Sequence, residues 1–155
     1  MARFRYRMQN ILDIKNKMEV QAKQEFSMAQ SVLNEEEEKL EAFKQRKAAY
    51  EEEAKRLRMR ELKVKEILEN RTGILNMEEL IKEQTLQVQL ARTQVEKARE
   101  KLQEVIQERK THEKLREKAF EEFMKEENRT ESKEIDELVS YTYGKRIREN
   151  EGQVK

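Results

Sequence analysis

Residues 70–79 read NRTGILNMEE, and the fold depends on whether a helix ends inside them. Gly73 can take the left-handed conformation that closes a helix. Asn76 can cap a following helix, with Glu79 three residues on reaching back as a capping box. Leu75 and Leu80 occupy the positions of a hydrophobic staple around that cap. The stretch therefore predicts a turn at 70–76 in a single-domain chain. One helix covers 3–69, a second covers 77–142, and a basic tail of residues 143–155 frays.

The flanks carry the pattern of a coiled coil. From Phe4, steps of four and three pass through Met8, Ile11, Lys15, Met18 and Ala22. One extra step of four follows, then the steps resume from Phe26 through Leu33, Leu40, Phe43, Tyr50 and Leu57 to Leu68. Fifteen of these nineteen positions are apolar in a chain that is 35% hydrophobic. This is a heptad seam with one stutter near residue 24. A second seam runs Met77, Ile81, Gln84, Val88, Ala91, Val95, Ala98, Leu102, Val105, with eight of nine apolar. Ile135, Leu138 and Tyr141 form a last apolar patch. Each arm is about 65 residues, or about 98 Å of helix. A short turn makes such arms antiparallel neighbours, placing Phe4 near Tyr141 and Tyr50 near Glu96. The fold class expected is all-α, an antiparallel coiled-coil hairpin.

Composition agrees. Charged residues make up 43% of 155 residues, against about 25% in globular chains, and mean hydropathy is -1.14. There is no proline and only three glycines, whereas helix-forming residues abound. The lack of cysteine excludes disulfides and thiolate metal sites. Nothing approaches the ~20 apolar residues of a membrane span. No continuous apolar run of the secretory type occurs in the first twenty residues.

The residue types of an active site are also lacking. The only histidine is His112, which falls on the second seam and reads as a polar position that fixes register. Gly144-Lys145-Arg146 lacks the context of a phosphate-binding loop. The run Glu35–Glu38 has no ligand loop around it and reads as a solvated face. The expectation is a non-enzymatic chain without cofactor or metal.

What remains is surface. The opening, MARFRYRMQNILDIKNK, alternates Arg3, Arg5 and Arg7 with Phe4 and Tyr6. The first 24 residues hold six cations against two carboxylates, a net +4, and the end from residue 145 holds four against two, a net +2. The overall charge of +1 hides this polarity. Only Phe4 and Tyr6 could stack on bases, so nucleic acid is not expected. Large aromatic anchors for a bilayer are missing too, so direct membrane insertion is not expected. A protein partner fits best.

The segment Phe4-Arg5-Tyr6-Arg7-Met8-Gln9-Asn10-Ile11-Leu12-Asp13 resembles the start of flagellar export proteins of the FliJ family. Lys133-Glu134-Ile135-Asp136-Glu137-Leu138 resembles that family's apolar-Asp-Glu-apolar segment near the end. The resemblance implies a cytoplasmic component of flagellar type III export, acting at the cytoplasmic face of the membrane when bound to the apparatus. It further implies three partners: the hexameric export ATPase, the cytoplasmic part of the export gate, and export chaperones that are escorted. By analogy with a rotary stalk, Arg3, Phe4, Arg5, Tyr6 and Arg7, with Lys145 and Arg146, would meet the ATPase ring. A mid-coil patch of Phe43, Tyr50, Leu80 and Gln84 would meet the gate. The rival reading is a generic coiled-coil scaffold or dimer of unbent helices, unrelated to flagella.

Overall fold

The computed structural model describes residues 2–153. Helix α1 spans Gln9–Arg58 (50 residues) and helix α2 spans Val64–Gln153 (90 residues). No strand occurs among the described residues. The architecture is the expected helical hairpin, but its turn is elsewhere.

The turn is residues 59–63 rather than 70–76. Met59 N–H donates to Arg56 O at 3.2 Å as α1 closes, and Ile67 N–H donates to Lys63 O at 3.2 Å as α2 opens. Lys55, Arg56 and Arg58 in the last turn of α1 complement its dipole. Neither glycine nor proline marks the turn. The residues that read as a breaker lie inside α2. Thr72 Oγ1 donates to Leu68 O at 2.9 Å, the bond of a mid-helix threonine. Asn76 and Glu79 are exposed within the helix and Leu75 is exposed too, so neither capping box nor staple forms.

Gly73 has no positive φ. Its role is close approach: a Cβ there would come within 2.8 Å of Tyr50 Cε1 and 2.9 Å of Cζ. Beside it the buried Asn70 donates from Nδ2 to Tyr50 O at 2.9 Å. Packing between helices, not local termination, explains why a small and a polar residue stand here. Tyr50 meets Asn70 and Gly73, not the region of Glu96.

The chain divides into two compact parts. Within residues 17–107 the helices pair antiparallel. Glu25 bridges Lys101 at 3.2 Å, Glu37 bridges Arg92 at 3.5 Å, and Lys47 bridges Glu78 at 3.6 Å. The core is Leu33, Val88, Ala91 and Val95, with Phe26, Ala29 and Leu40 packed against it. Within the other part, residues 2–16 pair with α2 from Glu108 onward. Lys15 Nζ meets Glu108 Oε2 at 2.8 Å, and Arg116 Nε donates to Gln9 Oε1 at 3.0 Å.

The buried positions also revise the first seam. Steps of three and four run unbroken from Leu12 through Lys15, Glu19, Ala22 and Phe26 to Leu57, all buried or half-buried. No stutter exists. The stutter arises only if Met8, Ile11 and Met18 are forced into the seam, and Met8 and Met18 are exposed. Lys15 and Glu19 take seam positions because their aliphatic stems cover apolar surface while their charges are paired, Lys15 with Glu108 and Glu19 with Lys23 at 3.2 Å. The second seam stands as expected: Met77, Gln84, Val88, Ala91, Val95 and Val105 are buried.

Candidate partner-binding surfaces

Helix α1 starts only at Gln9, so the opening residues form a non-helical arm laid along α2. The alternation of residue types becomes an alternation of faces. Phe4 and Tyr6 are half-buried, whereas Arg3, Arg5 and Arg7 are exposed. The Phe4 ring meets Phe120 edge-on, with centroids 5.2 Å apart, and meets Phe123 at 5.4 Å. The Arg116 guanidinium lies 5.7 Å from the Phe4 centroid and also holds Gln9, whose own amide donates to Asp13 Oδ1 at 3.0 Å. Two aromatic rings, one edge-on and one tilted, and a cation thus box one ring, an arrangement worth more than area burial alone. The box fixes the arm and aims its three arginines at solvent. Phe4 packs at 120–123, not near Tyr141.

From residue 128 to residue 152 the side chains of α2 are exposed, Gly144 apart, and an added Cβ at Gly144 would meet nothing within 4 Å. Ile135, Leu138, Val139, Tyr141 and Tyr143 are each at least 60% exposed. Helix α2 continues through the expected frayed tail as far as Gln153, and Val154 and Lys155 lie outside the described residues. Lys145 and Arg146 therefore sit about 33 Å along the helix beyond Phe123. The structure does not gather them with Arg3, Arg5 and Arg7 into one basic end.

The mid-coil quartet is mostly seam. Phe43 and Tyr50 are half-buried on the inner face of α1. Gln84 is buried, and its Nε2 donates both to Glu36 O at 2.9 Å and to the Glu36 carboxylate. Leu80 alone of the four is exposed. His112 is a half-buried seam residue whose Nδ1 is buried without a hydrogen-bond partner, as is the Tyr6 hydroxyl. No cluster of histidine and carboxylates suited to a metal occurs among the described residues.

One surface escaped the sequence reading altogether. Residues 55–65 hold six cations against the single carboxylate Glu61. The charge run lies inside the helix expected over 3–69, where the reading did not single it out. The structure makes it the bend of the hairpin.

Among the described residues the helices pair as a coil, the arm and the end of α2 are exposed, and the bend is basic. The family model for the flagellar FliJ protein matches residues 4–148. The chain belongs to the flagellar FliJ protein family. FliJ family proteins are structural components of flagellar type III protein export, and membership places this chain among them. A protein of Chlamydia trachomatis described as a YscO homolog has a similar fold, with a TM-score of 0.73 over 91% of this chain and 96% of that chain at 22% identity. No curated protein matches. No helix among the described residues is long and apolar enough to cross a membrane.

Proposed function

We propose that this FliJ family chain is a non-enzymatic, stalk-like adaptor that works in the cytoplasm at the membrane face. It binds the export ATPase ring, contacts the cytoplasmic part of the export gate, and escorts export chaperones. The observation that carries this reading is the contrast between a self-paired coil and its unpaired end. The seams are satisfied within one chain, yet the arm offers Arg3, Arg5 and Arg7, and α2 offers Lys145 and Arg146 on a helix with no pairing partner. Basic side chains that make no ion pair among the described residues complement an acidic ring lining and steer the encounter. Exposed Leu80, at the edge of the Phe43–Tyr50 seam, is the contact available to the gate. Pairing within the chain also weighs against a scaffold built from unbent helices of two copies.

The test is titration of the chain into a flagellar export ATPase, following hexamer formation and ATP turnover together. Stimulation of both is expected. The Arg3→Glu/Arg5→Glu/Arg7→Glu variant should bind more weakly at unchanged helicity, because none of the three packs on α2. No response to the folded wild-type chain refutes the ATPase contact.

A further inference from the structure

The bend reads KRLRMRELKVK over residues 55–65. Three of its four apolar side chains face water, Leu57 alone being half-buried: Met59 is 89% exposed, and Leu62 and Val64 are each 68% exposed. They are interleaved with Arg58, Arg60, Lys63 and Lys65. Among the described residues, Arg56, Arg60, Lys63 and Lys65 make no ion pair within the chain.

Local stability does not account for this composition. Cations in the last turn of α1 favour its dipole, which covers Lys55, Arg56 and Arg58. Lys63 and Lys65 stand at the opposite kind of end, the start of α2, where the dipole opposes a positive charge. The exposed Met59, Leu62 and Val64 contact no core. A turn selected only to reverse the chain would be polar, with glycine or asparagine.

We propose that this bend docks on an anionic phospholipid surface, with Met59, Leu62 and Val64 entering the headgroup layer and Arg58, Arg60, Lys63 and Lys65 meeting lipid phosphates. A protein partner would require an apolar centre with charges kept to a rim, but here cations and apolar groups alternate from Arg56 to Lys65, interrupted by Glu61. A nucleic acid would reward the cations and leave the apolar side chains in water. A lipid interface offers both environments within one layer. The bend carries no aromatic residue, so attraction is mainly electrostatic and weakens as salt rises. Docking of this kind crosses nothing, in keeping with the absence of a spanning helix among the described residues. It also does not depend on the ATPase contact proposed above.

Flotation of the full chain with vesicles tests it. Binding is expected to vesicles of phosphatidylcholine mixed with phosphatidylglycerol, and not to phosphatidylcholine alone. Each basic residue near an anionic surface is worth about fivefold in partitioning. Arg60→Glu/Lys63→Glu/Lys65→Glu should therefore lower binding about a hundredfold or more. Fold is not at risk, since two of the residues lie outside the helices and Glu at position 65 suits the start of α2. Met59→Ser/Leu62→Ser keeps the charge and should lower binding several-fold, whereas Arg3→Glu/Arg5→Glu/Arg7→Glu should leave it unchanged. Equal binding to neutral vesicles overturns the proposal, as does unchanged binding of either bend variant. Unchanged vesicle binding by a bend variant that loses capture by a purified acidic protein assigns the bend to a protein partner.

Discussion

Gly73→Ala separates two accounts of why glycine stands at this position. In the structure Gly73 is an ordinary helical residue in α2, against the Tyr50 ring. Alanine there gains about 0.8–1.0 kcal/mol of helix propensity. The new Cβ would lie 2.8 and 2.9 Å from two ring atoms, so the ring must move, and overpacking of this kind costs about 1–3 kcal/mol. The expected net is a loss of about 1 kcal/mol. In a Tyr50→Ala background the obstruction is gone and only the propensity gain remains. Gly73→Ala should then stabilise by about 1 kcal/mol, a reversal of sign. The Asn70 bond goes to the backbone oxygen of residue 50 and survives the background change. Urea unfolding of the four proteins, followed by far-UV circular dichroism, gives the coupling directly. If Gly73 instead ended a helix in the left-handed conformation, alanine would destabilise in both backgrounds. That result would refute the reasoning and restore the turn at 70–76.

Two further perturbations address the seam and the arm. Phe4→Ala should cost about 1–2 kcal/mol, below the ~3–5 kcal/mol of a fully buried aromatic because the ring is half-buried. Faster hydrogen exchange confined to residues 4–16 and 108–123 is the expected readout. Glu36→Leu/Gln84→Leu removes a polar pair, Gln84 buried and Glu36 half-buried, from beside the Leu33–Val88 core and should raise the melting temperature. The same variant should loosen register, read as alternative cross-links between cysteines introduced at facing exposed positions.

The fold class was legible because apolar spacing over dozens of residues outweighs any local signal. The turn was not, because its evidence is tertiary. Met59 to Lys63 contain no conventional turn residue, and their position follows from pairing Tyr50 with Asn70 and Gly73 across the helices. Asn70 and Gly73 are a polar and a small residue, the same vocabulary a sequence uses to break a helix. The stutter failed for a related reason. Counting apolar residues cannot see that Lys15 and Glu19 belong to the seam, since what qualifies them is a partner on another part of the chain or helix. The arm was half legible: the alternation of arginines and aromatics stood in the sequence, but residues 3–8 were expected to be helical, and the structure instead places Phe4 and Tyr6 inward on a non-helical arm. The separation of Lys145 and Arg146 from the arm followed from the turn. Moving the bend toward the N-terminus shortened α1 and left the end of α2 without a partner.

That unpaired end carries a consequence for stability and function together. The exposed side chains beyond residue 127 contribute little to the packing that holds the hairpin closed. A chain ending after Asn128 should therefore keep its melting temperature within about 3 °C, the shift expected for roughly 1 kcal/mol in a domain of this size. Its helical signal should fall only in proportion to the residues removed, because the deleted segment extends a nucleated helix instead of supporting one. Phe120 and Phe123 remain, so the Phe4 box and the arm stay in place. If Lys145, Arg146 and the exposed Ile135–Tyr143 face meet the ATPase, the truncated chain should lose stimulation of ATP turnover at unchanged fold. If the arm alone meets the ATPase, stimulation persists. A truncation that melts the whole molecule would instead show that the end of α2 packs on the hairpin, against the exposure seen in the structure.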